Sequence, residues 1–234
     1  MSSISVTSNE RISQFVSIKG GLIVSCQAPD GTAIDRPDFI AAQAQTVLEA
    51  GAIGIRAQGV ANVAAIAKVV NVQIIGLVKR YLTTTPIHIT PISEDVLALE
   101  NAGATIAAID ATGRLRPDGL SFADFLMEIR RNTKIAILAD VDSLEAAIIA
   151  ESLGCDAIAT TLSGYTDKLA PALPNIKLVE EIVNKVNIPV LAEGGFSRPE
   201  HMKAAFDAGA WSVCIGTAIT NPFLLTKRFV EVLG

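Results

Sequence analysis

A carboxylate and two glycines end one apolar run of the chain, at 188–195 (IPVLAEGG). A second apolar run, 211–215, ends in Gly216 and Thr217. A buried carboxylate can act as a general acid, because loss of water raises its pKa. Glycine turns admit an anion close to backbone N–H groups at helix starts. The pattern predicts acid–base chemistry on a phosphorylated metabolite. The alternatives are that Glu193 only forms a structural ion pair and that the glycine turns bind no ligand. The predicted phosphate-binding residues are Gly194, Gly195, Gly216 and Thr217.

A lysine follows a third apolar run, at Lys79. It can form a Schiff base, or act as an acid–base once desolvation lowers its pKa. A surface lysine, or one paired with an aspartate, fits the position equally well. Asp110 and Asp140 also end apolar runs, but the only histidines are His88 and His201, with no metal-ligand spacing. We therefore predict no metal site.

Short apolar runs alternate with helical patterns along the whole chain. They are continuous rather than alternating, as in parallel strands that are covered on both faces. Small residues around a glycine precede four of the strands, at 50–52, 102–104, 153–155 and 208–210. The predicted strands are 21–25, 52–56, 73–77, 105–110, 135–139, 156–160, 188–193 and 211–215. The predicted helices are 36–50, 59–70, 92–102, 121–131, 143–153, 174–186, 198–208 and 222–232.

Eight strand–helix units favour a (β/α)₈ TIM barrel of the α/β class. A doubly wound sheet usually has fewer strands and a GxGxxG turn, which is absent after the first strand. We predict a single domain over 1–234, with an extra N-terminal helix at 8–18 below the barrel and a lip strand at 87–90. The polar strand ends would then meet at the C-terminal face, where active sites of this fold lie.

Composition excludes several classes of function. The 234 residues are half hydrophobic and carry a net charge of −5, with no long basic run, so we expect no nucleic-acid partner. Cys26, Cys155 and Cys214 have neither disulfide-framework nor zinc spacing, and Cys214 fits a small core residue. The sequence shows no signal peptide and no apolar run of roughly 18 residues. We expect a cytoplasmic protein without a membrane partner.

From about Lys19 to Leu233, the sequence resembles the N-acylmannosamine-6-phosphate 2-epimerase family of sialic acid catabolism. The matching runs are 21–27 (GLIVSCQ), 55–60 (IRAQGV), 75–80 (IGLVKR), 109–112 (IDAT), 160–166 (TTLSGYT) and 192–194 (AEG). The runs at 160–166 and 25–27 are the most specific of these. The resemblance implies a (β/α)₈ enzyme that inverts C2 of N-acetylmannosamine 6-phosphate to give N-acetylglucosamine 6-phosphate. It also implies that the enzyme needs no metal or organic cofactor and forms a homodimer, in which the C-terminal helix can be exchanged.

The resemblance assigns roles to particular residues. The family's lysine corresponds to Lys79, which would move the C2 proton, and its glutamate to Glu193, the partner acid–base for ring opening or reprotonation. Asp140 would orient Lys79 or a hydroxyl group. The predicted substrate-binding residues are Gln27, Arg56, Asp140, Thr161, Ser163 and Tyr165.

Two positions depart from the family pattern. Gly195 and Asn221 stand where family members usually carry cations, so Arg198 or Lys227 would have to compensate, or backbone donors would have to suffice. Two other functions are compatible with the residues. One is a Schiff-base aldolase or lyase built on Lys79, and the other is a non-catalytic protein that binds sugar phosphates.

Overall fold

Eight parallel strands form a closed barrel in the computed structural model, which describes residues 8–166 and 172–233. Each strand pairs with the next one, and the last pairs with the first. Strand order therefore confirms the predicted (β/α)₈ fold. The strands are β1 (Leu22–Cys26), β2 (Gly54–Gln58), β3 (Gln73–Leu77), β4 (Ile106–Asp110), β5 (Ala136–Asp140), β6 (Ala157–Ala159), β7 (Val190–Ala192) and β8 (Ser212–Ile215).

Along the described ranges, helices alternate with these strands on the outside of the barrel, except that one helix precedes β1 and two helices follow β8. They are α1 (Ser8–Ser13), α2 (Pro37–Glu49), α3 (Val60–Ala67), α4 (Ser93–Asn101), α5 (Phe122–Asn132), α6 (Leu144–Ser152), α7 (Ile176–Val183), α8 (Pro199–Asp207), α9 (Thr217–Thr220) and α10 (Pro222–Val230). Short 3₁₀ turns occupy Val16–Ile18 and Glu231–Leu233. Among the described residues, no helix is long and apolar enough to cross a membrane.

Alternate residues of each strand face the barrel axis, because side chains along a strand point to opposite faces. The inward side chains form one apolar cluster, which includes Ile23, Ile75, Ile106, Leu138, Leu191 and Cys214. The outward side chains pack against the helices in two further clusters, a large one and a smaller one beside β7 and β8. The same alternation brings the polar residues at the strand ends, such as Arg56 and Asp140, to the axis above the apolar layers.

The N-terminal segment fills the bottom of the barrel. The predicted helix 8–18 is broken, with α1 ending at Ser13 and a 3₁₀ turn at Val16–Ile18. This break lets Phe15 and Ile18 join the interior cluster, where both are fully buried. The indole N–H of Trp211 donates a 2.7 Å hydrogen bond to the carbonyl oxygen of Phe15. The extra segment thus lies below the barrel as predicted, but as two short pieces.

The loop after β3 forms a hairpin-like lip at the top of the barrel. The predicted strand at 87–90 is reduced to one antiparallel bridge between Lys79 and Ile89. The lip is held to α4 by Arg80, whose guanidinium makes two hydrogen bonds of 2.7 and 2.8 Å to Asp95. This attachment fixes the backbone that carries Lys79.

Candidate active site

The strand ends surround a cavity of about 690 Å³ at the C-terminal face. Ten of the twelve predicted site residues line it: Gln27, Arg56, Lys79, Thr161, Tyr165, Glu193, Gly194, Gly195, Gly216 and Thr217. The other two, Asp140 and Ser163, do not line the cavity and are buried. Since β3 and β7 are four strands apart in an eight-stranded barrel, Lys79 and Glu193 approach the cavity from opposite sides.

Arg56 lies at the centre of a buried ionic network. Its guanidinium donates to both carboxylate oxygens of Asp140, at 3.1 and 2.7 Å, and one of its nitrogens lies 3.1 Å from Glu193. The side chains of Arg56 and Asp140 are 1% and 0% exposed. The Thr161 hydroxyl lies 2.7 Å from Asp140 and 3.1 Å from Glu193, so it can donate to either carboxylate. The network fixes the Glu193 carboxylate at the cavity wall.

The Glu193 carboxyl has a raised pKa, chiefly because it is buried. The Arg56 charge opposes this shift, and the nearby Asp140 carboxylate adds to it. The Cys214 thiol, one strand away on β8, lies close to the carboxyl group and interacts with it. Burial and the neighbouring carboxylate raise the pKa of Cys214, so the thiol keeps its proton and can donate it. Glu193 is therefore suited to hold a proton closer to neutral pH than an ordinary glutamate.

Lys79 reaches the cavity from the lip. Its ammonium group donates a 2.7 Å hydrogen bond to Oε1 of Gln27, whose amide nitrogen donates to the Ser25 hydroxyl at 2.6 Å. Partial burial lowers the pKa of Lys79, and the Arg56 charge lowers it further, whereas Glu193 and other carboxylates oppose the shift. A larger fraction of Lys79 is therefore neutral at a given pH than of a free lysine, as a proton-accepting lysine requires.

Glycine turns follow β7 and β8 on one side of the cavity. Gly195 has a φ of +75°, and a Cβ added there would lie 2.6 Å from the Cβ of Leu173. A Cβ on Gly216 would lie 3.2 Å from the Cβ of Ser25. Both positions thus leave little space for a side chain, so backbone groups line this part of the cavity. A residue with a side chain at position 195 would have a strained backbone and would collide with Leu173, which is a physical reason for glycine there.

The two buried aspartates at the ends of β4 and β5 are already paired. Asp110 accepts hydrogen bonds from Thr112 and Arg114, at 2.6 and 2.5 Å, while Asp140 pairs with Arg56. In the part of the chain that the structure describes, no three His, Cys, Asp or Glu side chains cluster as a metal site would need. Arginines, rather than free coordination positions, surround these carboxylates.

Several cavity residues were not among the predicted site residues. Tyr81 and His88 contact each other at the lip, with ring centroids 4.9 Å apart and ring planes tilted by 45°, and both line the cavity. The sequence predicts a core position for Cys214, and the residue is indeed buried, but it also lines the cavity. Cys214 lies two residues before Gly216, and residues two apart on a strand point to the same side. This spacing was the sequence signal that could have placed Cys214 at the cavity. Neither Arg198 nor Lys227 lines the cavity, whereas Arg228 of α10 does.

Known proteins resemble this chain over most of its length. A family model described as "NanE: Putative N-acetylmannosamine-6-phosphate epimerase" matches residues 40–234. A protein of Caldanaerobacter subterraneus subsp. tengcongensis is 43% identical over 92% of both chains, and one of Klebsiella pneumoniae is 44% identical over 86% of this chain and 85% of its own. Both are named "Putative N-acetylmannosamine-6-phosphate 2-epimerase".

A solved structure agrees with these sequence relatives. It is described as the N-acetylmannosamine-6-phosphate 2-epimerase from Clostridium perfringens and shares 38% of its sequence with this chain. The two superpose with a TM-score of 0.88 over 93% of this chain and 95% of the other. This chain therefore belongs to the NanE family.

Proposed function

We propose that this protein interconverts N-acetylmannosamine 6-phosphate and N-acetylglucosamine 6-phosphate by inverting C2. The observation that carries the proposal is a lysine of lowered pKa and a glutamate of raised pKa on opposite sides of one cavity. The names of the family and of the C. perfringens enzyme supply the substrate class. A cavity of about 690 Å³ is large enough for a sugar phosphate.

The proposed reaction is a proton transfer on the open-chain sugar. The hydrogen on C2 lies next to the C1 carbonyl, so its removal gives an enolate that nearby donors stabilise. A proton returned to the opposite face of C2 inverts that centre. Lys79 moves the C2 proton, and Glu193 is the partner acid–base in ring opening or reprotonation. Their places across the barrel support an exchange of protons on two faces.

The surrounding polar side chains hold these two groups and the substrate. Arg56, Asp140 and Thr161 orient Glu193 through the ionic network, and Gln27 orients Lys79 through its amide oxygen. The remaining hydrogen-bonding groups of Gln27 and Arg56 are proposed to bind the acetamido and hydroxyl groups of the sugar. Thr161 and Tyr165 line the same wall and are proposed as further contacts. Ser163 supports this wall through a 2.9 Å hydrogen bond from Asn175.

The phosphate is proposed to bind at the turns after β7 and β8, where Gly194, Gly195, Gly216 and Thr217 line the cavity. Backbone N–H groups near glycine can approach an anion without steric hindrance. In this arrangement the phosphate anchors one end of the open chain, and C2 lies between Lys79 and Glu193.

Exchange of solvent deuterium into C2, followed by proton NMR, tests the proposal directly. The wild-type protein should label C2 of either sugar phosphate, and Lys79→Ala and Glu193→Ala should each abolish labelling. Lys177→Ala is the matched control, because that lysine lies on α7 and its side chain is 83% exposed. Absence of labelling by the wild type would refute the function. Near-normal labelling by Lys79→Ala would refute its role, and a borohydride-trapped adduct on Lys79 would favour Schiff-base chemistry instead.

We further propose that the working unit is a homodimer of single-domain chains in the cytoplasm. The α10 side chains Phe223, Phe229 and Val230 are between 53% and 77% exposed, and apolar side chains in that number usually meet a partner. A phosphorylated sugar carries a charge that keeps it within the compartment where it forms, which supports the location. Sedimentation velocity would report the dimer, and a monomer at micromolar concentration would contradict it.

A further inference from the structure

We infer that Arg228 is the side chain that binds the substrate's phosphate group, an inference that rests on the proposed function. The residue lies on the last turn of α10, is exposed, and lines the cavity. An exposed arginine on a surface helix ordinarily contacts only solvent. Here the start of the helix, its orientation and the charges around the cavity all favour a specific role.

The start of α10 is attached firmly to the barrel. The Thr220 hydroxyl, which is buried, donates a 2.7 Å hydrogen bond to the carbonyl oxygen of Ser25 at the end of β1. Gln43 of α2 donates to the Thr220 carbonyl oxygen at 3.1 Å. Asn221 then caps the helix by accepting a 3.0 Å hydrogen bond from the Leu224 amide. These contacts fix the direction in which the helix leaves the cavity rim.

One face of α10 points to the cavity. Asn221, Leu224 and Arg228 all line it, and their spacing of three and four residues places them on one side of a helix. Lys227 precedes Arg228 but is turned about 100° away around the helix axis, and it does not line the cavity. Phe223 and Val230, which are seven residues apart, lie on the far side, so the cavity face and the apolar face of the helix are distinct.

Of the described positively charged side chains that line the cavity, Arg228 is the one placed to bind the phosphate. Among the described residues that line the cavity, the arginines and lysines are Arg56, Lys79 and Arg228. Arg56 is engaged by two carboxylates, and Lys79 is held by Gln27 on the β3 side. The glycine turns follow β7 and β8, and α10 continues directly from β8 through α9. Arg228 is thus the lining cation on the same side as the turns.

The chemistry suits a phosphate monoester. A guanidinium group can donate two parallel hydrogen bonds to phosphate oxygens, and it remains charged at every physiological pH. Backbone N–H groups at the turns would bind the remaining oxygens. The arrangement predicts that Arg228 contributes to discrimination between phosphorylated and unphosphorylated amino sugars and has little effect on the proton transfer at C2.

Arg228→Ala and Lys227→Ala provide a matched test, because each removes one positive charge from the same turn of α10. Isothermal titration with inorganic phosphate and steady-state kinetics with both sugar phosphates are the measurements. We expect Arg228→Ala to raise the Kd for phosphate and the KM for both sugar phosphates at least tenfold, with kcat changed less than threefold. Arg228→Lys should give intermediate values, since it keeps the charge but loses the two-pronged geometry.

The inference is overturned if Arg228→Ala and Lys227→Ala have the same Kd and KM, or if inorganic phosphate does not bind the wild type. Equal thermal unfolding of the two variants separates ligand binding from helix stability. The phosphate titration does not depend on turnover. A wild type that binds phosphate through Arg228 but does not label C2 would therefore refute the proposed function while supporting this inference.

Discussion

Replacement of Asp140 by asparagine tests the ionic network beneath the cavity. The change keeps the shape of the side chain and removes its charge, so the buried Arg56 loses its main counterion. Loss of one partner from a buried ion pair typically costs about 3–5 kcal/mol. Glu193 stays 3.1 Å from the guanidinium and the asparagine oxygen can still accept a hydrogen bond, so we expect the lower end, about 3 kcal/mol. In a chain of this length that corresponds to a decrease in Tm of about 6–12 °C.

Urea and thermal unfolding measure this effect, with Asp95→Asn as the control. Asp95 makes an equally close pair with Arg80, but the arginine side chain is 43% exposed and regains water when the partner is removed. Because the Asp95 side chain is 4% exposed, we expect this pair to contribute about 1 kcal/mol, the upper end of the range for exposed pairs and well below that for a fully buried one. If Asp140→Asn costs no more than Asp95→Asn, then the buried charge of Arg56 does not depend on Asp140, and the reasoning is refuted.

The same variant has a predicted effect on pH dependence. Asp140 raises the pKa of both Lys79 and Glu193, since a carboxylate favours the protonated form of its neighbours. Its removal should therefore move both limbs of the pH–rate profile towards lower pH. A variant whose limbs coincide with those of the wild type would show that Asp140 acts on fold stability alone.

Three further predictions concern the cavity itself. The active Lys79–Glu193 pair holds one proton, so kcat/KM should fall at low pH with an apparent pKa above 4.5 and at high pH with one below 10.5, and limbs at those ordinary values would contradict the assigned shifts. Gln27→Leu removes an acceptor that favours the charged ammonium, so the alkaline limb should move to lower pH, and an upward shift would contradict the contact. Gly195→Ala should lower stability by about 1–3 kcal/mol in urea unfolding because of its positive φ and the Leu173 contact, whereas Gly113→Ala, where an added Cβ meets nothing within 4 Å, should be nearly neutral.

The repeated architecture was predictable because each unit carries its own local signal. Buried parallel strands read as continuous apolar runs, and the strand at 73–77 coincides with β3. Elements of about one turn were missed, since four residues such as those of α9 are too few to show a period. The break in the helix predicted at 8–18 also has no local cause. It follows from the burial of Phe15 and Ile18 in the barrel, a tertiary effect.

The set of cavity residues was predictable from the fold, but its internal pairing was not. Once strand ends are assigned to one face of a barrel, Lys79 and Glu193 must share that face. The pairing of Arg56 with Asp140 joins residues 84 positions apart, and it depends on the register of strands that a single sequence does not encode locally. Arg228 escaped prediction for a similar reason, because its direction depends on the angle between α9 and α10.

The segment that fills the bottom of the barrel has a kinetic consequence. The apolar layers of the barrel interior, with Phe15 and Ile18 at their N-terminal end, close the cavity from below, so it opens only at the C-terminal face in the part of the chain that the structure describes. Substrate and product of the proposed reaction then enter and leave through the same opening, and neither can bind while the other occupies the cavity. Each sugar phosphate should be a purely competitive inhibitor of the conversion of the other. The direction of net conversion is set by the concentration ratio of the two sugar phosphates in solution relative to the equilibrium constant.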